Sequence, residues 1–70
     1  MGGEFPGKLR RLRELRGISR RVLADFCGLS KSAVARYERG EQEPTIRVIC
    51  RIADYFDVST DYLLGRKENL

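Results

Sequence analysis

Apolar residues along this chain recur at helical rather than alternating spacing, and they fall into five groups separated by turn-forming residues. The first group is Leu9, Leu12 and Leu15, one face of a helix from Pro6 to about Arg16. Pro6 suits a first helical turn, where its missing N–H costs nothing. Gly17 ends that helix, and Ile18 anchors the link to the next. Ser19 then caps a short helix carrying Val22, Leu23, Phe26 and Cys27 on one face. Gly28 stops it, because glycine takes the left-handed conformation at little steric cost. After Leu29, Ser30 caps a third helix whose inward pair is Val34 and Tyr37. Gly40–Pro44 reads as a loop. Thr45 caps a fourth helix with a broad stripe of Ile46, Ile49, Cys50, Ile52, Ala53 and Phe56. After Asp57 and Val58, Ser59 caps a last helix through Leu64, ended by Gly65. Asp61 lies in its first turn, where the helix dipole favours an anion. No strand pattern occurs, so the expected fold is all-α with five helices. Residues 1–5 read as a flexible lead-in, with Phe5 able to extend the leucine face; 6–65 form one domain, and 66–70 form a polar tail.

The second and third helices, joined by a short turn containing Gly28, have the form of a helix-turn-helix. Ala24 falls where the two must cross closely, and Val34 packs into the angle. The third helix then presents Lys31, Ser32, Ala35, Arg36 and Arg39 outward. Such a basic, hydrogen-bonding face without bulky apolar residues is the type of surface that enters a DNA major groove.

Charge supports a polyanionic partner. Residues 1–40 hold ten Lys and Arg against four Asp and Glu, whereas residues 41–70 hold four against six. The chain is thus divided into a basic half and a slightly acidic one. Its 70 residues allow a single small core. With no histidine and two cysteines outside any CxxC spacing, no metal site is expected. Cys27 and Cys50 read as buried free thiols on two apolar faces, with a disulfide left open. No Gly-rich phosphate loop or carboxylate pair suggests catalysis, so no enzyme activity and no cofactor is expected. The chain also lacks a long apolar run or signal-peptide segment, which reads as a soluble cytoplasmic protein.

From Leu9 to Gly65, about 57 of the 70 residues, the chain resembles the Cro/C1-type (XRE-like) helix-turn-helix family of phage repressors and bacterial regulators. The resemblance is carried by Ala24, Gly28-Leu29-Ser30, Val34, Arg36-Tyr37-Glu38-Arg39-Gly40, Pro44-Thr45, Ile52-Ala53 and the run Val58 to Gly65. It implies a sequence-specific DNA-binding repressor whose recognition helix, about residues 30–39, lies in the major groove. Lys31, Ser32, Ala35 and Arg36 would contact bases, with guanines opposite Lys31 or Arg36. Ser19, Arg20 and Arg39 would contact phosphates. Arg20 stands where the family often has Gln, which makes that contact ionic. Arg13 and Glu38 would form a structural ion pair tying the first helix to the third. Homodimers, joined around Thr60 and Tyr62, would bind a palindromic operator with half-sites about 34–36 Å apart; Leu63 reads instead as core. One departure is the loop after Gly40, often basic in the family and here carrying Glu41 and Glu43. The alternative function is an antitoxin or protein-interaction module that retains the fold with DNA binding secondary.

Overall fold

The computed structural model describes residues 4–66, which form five helices: α1 (Glu4–Leu15), α2 (Arg20–Cys27), α3 (Lys31–Glu38), α4 (Ile46–Phe56) and α5 (Thr60–Leu63). Hydroxyl caps start the last four. Ser19, Ser30, Thr45 and Ser59 are all extended, and each side-chain oxygen accepts the backbone N–H three residues on. Each cap satisfies one of the donors that a helix start leaves without an intrahelical partner. The ends are as local. Gly28 closes α2 at φ +68°, whereas α4 ends on Asp57 at φ +57°, a conformation that Asp tolerates better than most residues.

The helices pack in a closed circuit. α1 lies against α3 and α5, α2 against α3 and α4, and α4 against α5. Leu9, Leu23, Val34, Ile52 and Leu63, one from each helix, are wholly buried at the centre. Burying side chains of this size stabilises by about 1.5–3 kcal/mol apiece.

Several sequence expectations need correction. α1 begins at Glu4, not Pro6, and Phe5 is a core residue packed edge-on against Tyr37. Residues 4 and 5 therefore belong to the folded domain; Met1–Gly3 and most of the polar tail lie outside the described residues. α2 buries Leu23, Ala24 and Cys27 rather than Val22 and Phe26. α2 packs against both α3 and α4, and the face it buries there carries Leu23, Ala24 and Cys27. Phe26, 69% exposed, instead lies over Tyr55 of α4, with ring centroids 4.8 Å apart. Leu15 and Ile46 are also exposed, at 72% and 80%. They are the last residue of α1 and the first of α4, and the helix ends carry them beyond the core. Cys50 is exposed, while Cys27 is buried; both are free. Burial pushes the Cys27 thiol up from its ordinary pKa, against a smaller opposing effect from Arg51.

Candidate nucleic-acid interface

α2 and α3 are set against each other by small residues and a tight turn. The backbone N–H groups of Gly28 and Leu29 both donate to the Ala24 carbonyl, which folds the chain back at the end of α2. Arg51 braces this corner from α4, donating from Nη1 to the Cys27 carbonyl at 3.2 Å. A Cβ on Gly28 would come within 2.9 Å of that same nitrogen, and the positive φ would strain any larger residue. Ala24 is buried, and α2 packs against α3.

With Ala33, Val34 and Tyr37 buried, helical geometry leaves the opposite face of α3 to Lys31, Ser32, Ala35 and Arg36. Lys31 and Ser32 are exposed, and Ala35 and Arg36 are half-buried. The four candidate base-reading residues thus form one outward stripe. Ser32 Oγ also lies 3.2 Å from the Ser30 hydroxyl, at the N-terminus of the helix.

At the C-terminal end of α3 is a buried ionic centre. The Glu38 side chain, only 2% exposed, receives Arg13 through Nε at 2.7 Å and Nη2 at 3.3 Å. Arg13 also donates from Nη1 to the Ile18 carbonyl, so a single guanidinium joins α1, α3 and the α1–α2 link. The hydrogen bond to Glu38 raises the Arg13 pKa above its already high value, and burial opposes it less strongly. Arg20 makes a second bridge, with Nε 3.0 Å from Glu38 Oε1. The residue expected to meet a phosphate at the start of α2 is therefore already tied to the architectural carboxylate. Ser19 beside it is exposed, and its hydroxyl caps α2.

The other end of α3 has its own pairs. Arg39, expected at a phosphate, is held through Nε and Nη2 by the Glu41 carboxylate at 2.8 and 3.1 Å. Arg36 donates from Nε to Gln42 Oε1 at 2.7 Å. Gly40, at φ +72°, makes both contacts possible by reversing the chain. The Glu41 N–H then donates to the Arg36 carbonyl, which brings the loop beside the last turn of α3. Sequence periodicity does not register a partner six residues away across such a reversal; only the glycine following the helix hints at it.

α5 places Thr60 and Tyr62 in half-buried positions and Leu63 in the core. Lys8 Nζ stands 4.4 Å from the Tyr62 ring centroid, a cation–π contact from α1. Two further links were not anticipated. Arg16 donates to the Phe56 carbonyl at 2.7 Å, and its guanidinium lies 5.7 Å from the Phe56 ring centre. Among the described residues no group of His, Cys, Asp or Glu could hold a metal ion, and no helix is long and apolar enough to cross a membrane.

A helix-turn-helix family model, HTH_3, matches residues 9–63. The chain belongs to the helix-turn-helix family of Cro/C1 (XRE-like) type. Among relatives in Bacillus subtilis, the HTH-type transcriptional regulator AnsR is 38% identical over 61 residues, covering 87% of this chain and 53% of that protein. The prophage-derived regulator YonR is 33% identical over 60 residues, covering 86% of this chain and 56% of that protein. The chain thus spans about half the length of these relatives. Its fold matches the P22 c2 repressor, solved with a synthetic operator, at a TM-score of 0.87 and 26% identity, over 94% of this chain and all of that one. SinR, solved in complex with DNA, matches at 0.80 and 30% identity, over 86% and 97% of the two chains.

Proposed function

We propose that this chain is the DNA-binding domain of a transcriptional repressor that occupies a palindromic operator as a homodimer. The observation that carries this reading is the outward stripe of α3. Lys31, Ser32, Ala35 and Arg36 offer two cations, a hydroxyl and a methyl group, on a helix whose other side is locked into the core. These groups match what major-groove edges offer: Arg or Lys for guanine O6 and N7, and a methyl for thymine. The N-terminus of α2 adds backbone donors, Ser19 and the exposed part of Arg20 for a phosphate. The relatives named as transcriptional regulators, and the neighbours solved with operator or other DNA, support the same reading. Each protomer would read one half-site, with Thr60 and Tyr62 of α5 near the two-fold axis.

A salt titration of binding to duplex DNA tests the proposal. Phosphate contacts release counterions, so the logarithm of affinity should fall linearly with the logarithm of salt, with a slope of about 0.9 for each phosphate neutralised. A chain that binds no duplex at low salt would refute it, as would affinity indifferent to salt.

A further inference from the structure

We propose that Gln42, in the loop beyond the recognition helix, is a specificity-determining positioning residue that presents Arg36 to a guanine. The inference rests on the function proposed above. Arg36 is the half-buried cation of the α3 stripe, and Gln42 Oε1 accepts from its Nε at 2.7 Å. A guanidinium held through Nε keeps its Nη1–Nη2 edge for a second planar partner, and the O6/N7 edge of guanine is a bidentate acceptor of that kind. An arginine without such a support must be ordered at the moment of binding, and that ordering weakens the complex.

The type of residue matters as much as its position. Gln42 is neutral, so it orients Arg36 without cancelling its charge. One residue earlier, Glu41 takes Arg39 in a two-pronged ion pair. The same loop therefore gives Arg39 an ionic partner and Arg36 a neutral acceptor. The turn that allows this is built into the backbone, by the left-handed Gly40 and the Glu41 N–H bond to the Arg36 carbonyl. Gln42 itself is exposed, so its replacement removes the acceptor without opening the core.

The test uses two probes: a duplex enriched from a random pool by the wild-type chain, and a shuffled duplex of the same composition. The quantity read is the ratio of the two affinities. Arg36→Ala should lower that ratio by roughly 5- to 150-fold. Gln42→Met, of similar length but with no comparable acceptor, should lower it by about 2- to 12-fold in the wild-type background. It should lower it no further in Arg36→Ala. Gln42→Glu keeps an acceptor, so it should preserve the ratio while weakening binding to both duplexes. Matching thermal melts for all variants would exclude unfolding. If Arg36→Ala lowers the ratio but Gln42→Met does not, or does so equally without Arg36, the role of Gln42 is refuted and the DNA-binding reading stands. If the random pool yields no enriched duplex, both fall together.

Discussion

Two glutamates three residues apart, Glu38 and Glu41, each hold an arginine at close distance, yet they perform different tasks. Glu38 is at the end of α3 with its side chain 2% exposed, and it gathers Arg13 and Arg20 from two other elements. Glu41 is in the following loop, 52% exposed, and holds an Arg39 that is 56% exposed. The distances are nearly equal, 2.7 and 2.8 Å. Burial decides the difference. A pair removed from water cannot lose one member without leaving the other charged and poorly solvated, whereas an exposed pair opens into solvent at little cost. The first pair fixes how α3 sits on α1. The second decides only whether Arg39 is available to another anion.

Removing the inner carboxylate should have the largest effect. Glu38→Ala strands Arg13 in a largely buried position and should destabilise the domain by on the order of 3–5 kcal/mol, read as a shifted urea midpoint. A shift below about 1 kcal/mol would mean that Glu38 is no more architectural than Glu41. Arg20→Gln should be much milder, within about 1 kcal/mol, because Arg13 still satisfies Glu38 and Arg20 is itself partly exposed. Its effect should show instead in the salt dependence of DNA binding, with the slope reduced by about 0.9 if Arg20 meets a phosphate. An unchanged slope would assign Arg20 wholly to the Glu38 centre.

The outer pair should be the weakest contributor to stability and the clearest in titration. The hydrogen bond from Arg39, with smaller charge effects from Arg39 and Arg36, holds the Glu41 carboxyl below the ordinary glutamate range. A lowered folded-state pKa means that whatever the pair contributes is present above the unfolded value. It is lost as pH falls through the folded value, below the usual range for glutamate. Followed by NMR, Glu41 should titrate at a lower pH than an ordinary glutamate, and Arg39→Gln should move its midpoint upward without altering the thermal melt. A midpoint indifferent to Arg39→Gln would show that the pair is open in solution.

Most of the framework was legible because it is locally encoded. Ser19, Ser30, Thr45 and Ser59 cap their helices, and Gly28 ends α2, through bonds within a few residues. The Arg13–Glu38 bridge was expected from the family resemblance, whereas helical periodicity by itself gives no partner 25 residues away. Legibility declined where one helix meets two neighbours. For eight-residue α2 the stripe Val22–Phe26 and the stripe Leu23–Cys27 are equally periodic, and only the positions of α3 and α4 select the latter. Residues 1–5 read as a lead-in from which Phe5 could at most extend the leucine face, yet its ring is fully buried, edge-on to Tyr37. At the interface, residue type indicated the outward stripe of α3. The arginine partners Glu38, Glu41 and Gln42 depend on chain reversals and burial. Arg20 and Arg39 consequently emerged with intramolecular partners that compete with their expected phosphates.

On the function proposed above, the motif divides into residues that set its geometry and residues that read DNA. The most direct test compares the wild-type chain with Arg36→Ala on an enriched duplex and a shuffled one, with stability measured on the same samples. Melting should be unchanged, with a loss of about 1–3 kcal/mol on the enriched duplex and little change on the shuffled one. Equal preference for the enriched duplex in both proteins would contradict it, because Arg36 would then take no part in reading sequence.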